Sequence, residues 1–307
     1  MKKVLISDKL ALEAIDIFKE AGIEVDFKPG VSADELAKII GDYDGLAIRS
    51  ATKVTSELLS QANKLKVVGR AGIGVDNVDL TAATNAGVVV MNTPFGNAVT
   101  TAEHAISMLL ALARQIPQAH ASTVASKWEK SKFMGTEITG KRLGIIGCGN
   151  IGAIVAERAR GLKMKVMGYD PFLTEEQAKI LGIEKVELNV LFARADFITL
   201  HTPLTDSTRN IISADALNKM KKGVRIVNCA RGGLVDELAL LAALNSGHVA
   251  GAALDVFETE PAKDNPLFEA DNFIATPHLG ASTLEAQEKV ALQVAEQMAD
   301  YLTTGAV

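Results

Sequence analysis

The chain has 307 residues, 48% of them hydrophobic and 22% charged, with a net charge of -5. This is the composition of a soluble globular protein with room for about two domains, and the acidic balance argues against a nucleic-acid binder. Two cysteines are too few for a disulfide framework and suit a reducing cytoplasm. The apolar run after Met1-Lys2-Lys3 is too short for a secretion signal, and the one around Ala105–Ala113 is too short for a membrane span.

In chain order, strands are predicted at Val4–Ser7, Ile23–Lys28, Gly45–Arg49, Lys66–Ala71 and Val88–Asn92. Helical patterns lie between them near 10–21, 32–41, 55–63 and 77–86. The second of these opens on the box Ser32-Ala33-Asp34-Glu35. Strands separated by helices imply crossovers and a parallel sheet covered on both faces. A long helix follows from Ala98 to Gln115, ended by Pro117, and residues 118–140 read as polar and irregular. Alternation then resumes with strands at Arg142–Gly147, Lys165–Tyr169, Phe197–His201, Arg225–Asn228, Val249–Asp255 and Asn272–Ala275. The last element is a helix over Ser282–Leu302, opened by Ser282-Thr283-Leu284-Glu285. The fold class expected is α/β, with two doubly wound parallel sheets.

The segment Gly147-Cys148-Gly149-Asn150-Ile151-Gly152 follows a strand and opens a helix. In such a loop Gly147 serves the tight turn, Gly149 lets backbone approach a pyrophosphate, and Gly152 lets helix and strand pack closely. The helix N-terminus offers free N–H groups to the phosphates. A second strand ends in Asp170, placed to accept from ribose hydroxyls and to repel a 2′-phosphate. NAD is therefore the expected cofactor, in preference to NADP. A glycine-rich turn without a ligand is the ordinary alternative, and the strand–loop–helix–strand–Asp context weighs against it. Gly135–Lys141 matches GxxxxGK, but Arg142 replaces the hydroxyl residue and the segment precedes a strand, so a nucleotide P-loop is rejected.

None of the histidines, His104, His120, His201, His248 and His278, pairs with another at zinc-ligand spacing, and no metal site is expected. Arg231, Glu260 and His278 each follow a predicted strand of the second half, at the carboxyl ends where open sheets bind ligands. Arginine can clamp a carboxylate, and a carboxylate beside histidine raises its pKa toward neutrality. By residue type alone, solvated charges and an idle histidine remain the commoner reading.

Six segments in this order carry a resemblance. They are Gly69–Asp79 (GRAGIGVDNVD), GCGNIG, His201-Thr202-Pro203-Leu204, Cys229-Ala230-Arg231-Gly232-Gly233, Leu254–Pro261 (LDVFETEP) and Pro277–Thr283 (PHLGAST). The chain resembles the D-isomer-specific 2-hydroxyacid dehydrogenase family over nearly its whole length. The resemblance implies a flavodoxin-like substrate domain made of 1–97 and 284–307. An inserted Rossmann NAD-binding domain would span 98–283, with a dimerisation arm at about 98–140. It implies His278 as acid/base, Glu260 as its partner and Arg231 as the carboxylate anchor. It places Gly147, Gly149, Asn150, Ile151, Gly152, Asp170, Thr202, Pro203, Cys229, Ala230, Arg231, Asp255, His278 and Gly280 around NAD. It turns Arg49, Ser50, Arg70, Gly72, Gly74, Asn97, Arg231 and His278 toward the substrate.

Ile48–Thr55 (IRSATKVT) and Lys127–Glu137 (KWEKSKFMGTE) resemble the members that oxidise 3-phospho-D-glycerate to 3-phosphooxypyruvate at the start of serine synthesis. The basic set Arg49, Lys53 and Arg70 could answer a phosphate. Lys130 and Lys132 could reach a neighbouring subunit's substrate, although a solvated charge is as ordinary a reading. His201 fits either a place near the cofactor or a structural role at a strand end. The same chemistry on glyoxylate, hydroxypyruvate or D-lactate is the nearest alternative, and an NAD-sensing corepressor is a more distant one. A cytoplasmic homodimer acting on a small phosphorylated hydroxy acid, without nucleic acid or membrane, is expected. The sequence ends at Val307 just after the last helical pattern, so no serine-binding regulatory domain is expected.

Overall fold

A computed structural model of the chain describes residues 1–306. It resolves into two compact units, one of Met1–Ala98 with the segment from Ala281 onward, the other Val99–Gly280.

The first unit contains β1 (Lys3–Ile6), α1 (Glu13–Glu20), β2 (Glu24–Phe27), α2 (Ala33–Ile39), β3 (Gly45–Ile48), α3 (Ser56–Gln61), β4 (Val67–Arg70), α4 (Leu80–Asn85), β5 (Val89–Asn92) and, from the end of the chain, α12 (Leu284–Thr304). Its sheet is parallel, in the order β2-β1-β3-β4-β5, which is the flavodoxin-like order. Successive residues of each strand enter opposite layers. Val4, Ile6, Ala47 and Val67 join the core built on Phe18 and α12, and Leu5, Leu46, Ile48 and Val68 join the core on the other face. Both faces are covered, so these strands are apolar throughout and do not alternate.

The second unit begins with α5 (Ala98–Arg114), whose first residue belongs to the other unit, and α6 (Ile116–Val124). Then come β6 (Arg142–Ile146), α7 (Asn150–Gly161), β7 (Lys165–Tyr169), α8 (Glu175–Leu181), β8 (Glu184–Lys185), α9 (Leu188–Arg194) and β9 (Phe197–Leu200). The last elements are α10 (Ala214–Lys219), β10 (Val224–Asn228), α11 (Glu237–Asn245), β11 (Val249–Leu254) and β12 (Phe273–Ala275). The sheet order is β12-β11-β10-β9-β6-β7-β8. This is the dinucleotide-fold order with one more strand at the β12 edge. Its switch point lies between β6 and β9, beside the glycine-rich loop. Both sheets are the doubly wound parallel kind that the sequence pattern implies. Among the described residues, no helix is long and apolar enough to cross a membrane.

Two local expectations are corrected. Residues 118–140 are not irregular throughout: Gln115 turns left-handed at φ 51, and α6 then runs to Val124 with Pro117 in its first turn. Proline lacks an N–H that the first turn does not need, so it opens this helix as well as ending the last. The cap of α12 is Thr283, whose hydroxyl accepts from the Ala286 N–H, not Ser282. The short β8 carries too little hydrophobic signal to be read in advance.

α12 closes one face of the first sheet through Val290, Val294, Met298 and Leu302. Gly69 in β4 is what lets it sit so close, because a Cβ there would lie 2.2 Å from Met298 Sδ and 2.6 Å from Val294 Cγ2. Gly69→Ala should therefore cost about 1–3 kcal/mol, as overpacking does, and calorimetry should show a lowered Tm. An unchanged Tm would mean the helix is free to back away.

Candidate active site

Several loops at the carboxyl ends of the second sheet carry titratable residues, and the structure shows what sets each of them. After β6, Gly147 adopts φ 93, and a Cβ there would lie 2.5 Å from the His201 carbonyl oxygen. A Cβ on Gly152 would lie 2.0 Å from the Gly147 oxygen, so only glycine lets α7 start here. Around Gly149 there is open space, and it caps α7 without any side-chain hydrogen bond. The first N–H groups of α7 at Asn150, Ile151 and Gly152 are thus presented to a ligand. Asp170, just past β7, accepts from the Cys148 N–H at 2.8 Å and from the Phe172 N–H at 2.8 Å, which fixes its carboxylate against the loop. These residues fit a dinucleotide: a cradle that a Cβ would fill, a helix end without a capping side chain, and a carboxylate beside them.

After β9, His201 donates to or accepts from Thr199 Oγ1 at 2.9 Å through Nε2, while its buried Nδ1 has no partner among the described residues. Burial holds its pKa down at about 3, so it is neutral at physiological pH. Thr202 and Pro203 follow, with the Pro203 carbonyl accepting from Thr208 Oγ1 at 2.7 Å.

After β10, the buried side chain of Asn228 staples the next loop. Its Nδ2 donates to the Arg231 carbonyl at 2.8 Å, and its Oδ1 accepts from the Ala230 N–H at 3.0 Å. Arg231 Nη1 donates to the Ala230 carbonyl at 2.7 Å. Gly232 lies under the loop that follows β11, where a Cβ would sit 1.8 Å from the Phe257 oxygen. That contact brings the Arg231 and Glu260 loops together. Asn228 and Gly232 both escaped the sequence reading. A polar side chain at the last position of β10, where the sheet's carboxyl end begins, was the available signal for the first.

After β11 and β12 come the two residues expected to act together. Glu260 Oε2 meets His278 Nδ1 at 2.7 Å, and Glu260 Oε1 accepts from the Phe257 N–H at 3.0 Å. A proton shared at Nδ1 leaves Nε2 as the working atom of the ring. The bond to Glu260 raises the His278 pKa above its ordinary 6.5, against the opposing effect of burial. The Arg231 charge is near enough to lower it slightly. Burial pushes Glu260 up, but the bonds from His278 and the Phe257 N–H outweigh it and leave the carboxyl below its usual range. His278 itself sits at φ 56, a left-handed conformation that is uncommon outside glycine. Its N–H donates to both the Asp255 and Thr276 carbonyls.

Asp255 is fully buried. Its Oδ1 accepts from Thr276 Oγ1 at 2.5 Å and the Leu279 N–H at 2.7 Å, and its Oδ2 from the Gly280 N–H at 2.8 Å. His104 Nε2 on α5 lies 3.3 Å from the same Oδ1. Burial raises the Asp255 pKa, and the bonds from His104, Thr276 and Leu279 more than reverse it. Cys229 is buried beside this carboxylate, and both burial and the Asp255 charge push its thiol up.

In the first unit, the expected substrate residues lie at the ends of β3 and β4. Asp8 organises the first group, its Oδ2 accepting from the Arg49 N–H at 2.6 Å and the Thr52 N–H at 3.1 Å, its Oδ1 from Thr52 Oγ1 at 2.7 Å. Arg49 and Ser50 share a pocket of about 430 Å³ with Asp8, Lys9, Pro29, Gly30 and Ala51. Among the described residues neither Lys9 nor Arg49 makes an ion pair, so the lining carries two basic residues beside the Asp8 carboxylate. Lys53 is exposed and lies outside that lining. Arg70 crosses Gly72, where a Cβ would lie 1.6 Å from its Nη1, and the Gly72 N–H donates to Thr93 Oγ1 at 2.7 Å. Gly74 follows on the same loop, and Asn97 is buried. Lys130 and Lys132 form an exposed single turn in which Lys132 faces Glu129 at 4.0 Å.

Residues 106–280, more than half of the chain, match the family model described as D-isomer specific 2-hydroxyacid dehydrogenase, NAD binding domain. The chain is 50% identical over 302 residues to a D-3-phosphoglycerate dehydrogenase of Synechocystis, covering 98% of this chain and 54% of that protein. It is 51% identical over 302 residues to the human protein of that name, covering 98% and 57%. The chain thus spans little more than half the length of these curated relatives. Among solved structures, a protein from Thermus thermophilus superposes with a TM-score of 0.90 at 33% identity, covering 98% of this chain and 96% of that one. A glyoxylate reductase from Paecilomyes thermophila gives 0.91 at 31%, covering 100% and 97%.

Removing the Glu260 charge removes the main force holding the proton on His278. Glu260→Gln should lower the pKa of the His278 imidazole, read by NMR titration of the ring protons. An unmoved titration would show that the Glu260 contact does not set it.

Proposed function

The chain belongs to the D-isomer-specific 2-hydroxyacid dehydrogenase family, and from that premise we propose that it oxidises 3-phospho-D-glycerate to 3-phosphooxypyruvate with NAD. The observation that carries the chemistry is the Glu260–His278 contact of 2.7 Å on the loops next to Arg231. The substrate assignment is supported by relatives named D-3-phosphoglycerate dehydrogenase at about half identity over nearly the whole chain. It is also supported by Lys9 and Arg49, two basic residues in the lining of one pocket of the first unit.

Gly147–Gly152 would hold the pyrophosphate of NAD and Asp170 its adenosine ribose, and NAD would supply the hydride acceptor. His278 Nε2 takes the proton from the substrate hydroxyl as the carbon gives up its hydride. Glu260 keeps the resulting imidazolium in place. Arg231 holds the substrate carboxylate and, in the reverse direction, polarises the carbonyl. Asp255, Cys229, Ala230, Thr202, Pro203 and Gly280 line the cofactor side. Ser50, Arg70, Gly72, Gly74 and Asn97 serve the substrate. Oxidation needs neutral His278 and reduction needs it protonated. Its raised pKa therefore places the acidic limb of the oxidation profile above pH 6.5, and Glu260→Gln moves that limb down.

We further infer a cytoplasmic homodimer assembled through residues 98–140. α6 buries none of its residues, and Ile116, Val124, Trp128 and Met134 are all more than half exposed. Light scattering tests this, and a monomer at micromolar concentration would refute it.

NADH absorbance decides the activity. The phosphorylated pair should turn over in preference to glyoxylate, hydroxypyruvate and pyruvate. Equal turnover of the unphosphorylated acids would make this a general reductase, and NADH binding without turnover of any acid would favour a sensor. His278→Asn should lower kcat by ~10²–10⁴, the usual worth of a positioned acid/base. A smaller loss would remove His278 from that role.

A further inference from the structure

Three groups outside the acid/base pair converge beneath the His278 loop. His104 comes from α5, Cys229 from the residue after β10, and Asp255 from the residue after β11. Their ligand atoms, an imidazole nitrogen, a sulfur and a carboxylate oxygen, all lie within 4.8 Å of one another. The thiol and the carboxylate are buried, and the imidazole is only 19% exposed. Cys229 Sγ makes no hydrogen bond among the described residues. Along the sequence these positions are far apart, so no motif of metal-ligand spacing announces them.

We propose that His104 Nε2, Cys229 Sγ and Asp255 Oδ1 form a binding site for a thiophilic divalent cation, Zn²⁺ being the type. The donor set is the one that such an ion takes, mixing sulfur, imidazole and carboxylate. The spacing suits it too. Two ligand atoms each ~2.0–2.1 Å from a tetrahedral ion stand roughly 3.3 Å apart, and His104 Nε2 and Asp255 Oδ1 are 3.3 Å apart. The sulfur lies within 4.8 Å of both and moves inward to complete the face. Charge closes as well: one thiolate and one carboxylate cancel a dication, so no net charge is buried. Orienting groups are already in place, since the Gly280 N–H holds the other oxygen of Asp255. On binding, the Cys229 proton leaves to solvent and the His104 proton resides on Nδ1, which frees Nε2 for the metal. No oxidation accompanies the step.

An ion there takes lone pairs of Asp255 Oδ1 that now accept from Thr276 Oγ1 and the Leu279 N–H. Those bonds shape the turn that carries His278. Metal binding is therefore inhibitory, a consequence that rests on the functional reading above, whereas the binding itself does not.

The test uses the full chain, stripped with chelator and titrated with Co²⁺ as a spectroscopic stand-in. We expect a thiolate-to-cobalt charge-transfer band and intense visible bands saturating at one equivalent, displaced by Zn²⁺. The band should vanish in Cys229→Ser, persist in Cys148→Ser, and need about tenfold or more Co²⁺ in His104→Leu. Circular dichroism reports folding of each variant, and His104→Leu decides should Cys229→Ser not fold. In parallel, Zn²⁺ should inhibit turnover of the wild-type chain, and chelator should restore it. No charge-transfer band, one that survives Cys229→Ser, or one that depends on Cys148 overturns the site. A band without inhibition overturns its regulatory consequence alone.

Discussion

Loops that leave the ends of parallel strands carry backbone N–H groups that the ladder no longer satisfies, and near a buried site water cannot serve them all. This chain meets that constraint with buried aspartates. Asp255, past the end of β11, takes the Leu279 and Gly280 N–H groups and the Thr276 hydroxyl. Asp8, past the end of β1, takes the Arg49 and Thr52 N–H groups and the Thr52 hydroxyl. In each case one carboxylate fixes the loop that follows a neighbouring strand, and that loop presents a basic side chain, His278 in one unit and Arg49 in the other. A carboxylate accepting several donors is stabilised in its charged form, which is why Asp255 is held below the usual carboxylate range although burial pushes it up.

The left-handed backbone at His278 makes sense within this arrangement. Such a conformation costs of order 1–3 kcal/mol and persists only where the surroundings over-determine it. The His278 N–H is held by two carbonyls, the next two N–H groups by Asp255, and the ring by Glu260. The ring is thus positioned before any substrate arrives, which is how a scaffold contributes to acid/base catalysis. The neighbouring loop is held by equally local means, with Asn228 stapling it from below and Gly232 allowing the Phe257 carbonyl to press against it.

Both sheets were legible because their central strands are buried on both faces and read as short apolar runs punctuated by glycine and capping residues. The glycine loop was legible for the same reason: its three glycines answer three close approaches within a few residues. What the pattern misses is set by distance along the chain. α6 was lost because Pro117 looks like a stop when read only from the side of α5. Lys53 was grouped with Arg49 by proximity in sequence, yet the fold puts Lys9 in the pocket with Arg49 instead. Lys9 follows a different strand, and parallel pairing needs a crossover of a dozen residues or more. Neighbours at a strand end in such a sheet are therefore distant in sequence as a rule.

That rule also explains why His104, Cys229 and Asp255 escaped a search for metal-ligand spacing. Zinc motifs are recognisable in sequence when a turn or a helix supplies both ligands of a pair. Here each ligand comes from a separate element, one helix and two strand ends, and only the β10–β11 pairing brings two of them side by side, with Asn228 opposite Leu254 in register. The residues that follow this pair, Cys229 and Asp255, are forced into adjacency by the ladder itself. A parallel sheet thus assembles its chemistry at one edge whatever the intervening sequence does, and the residue just past each strand is where that chemistry is to be sought.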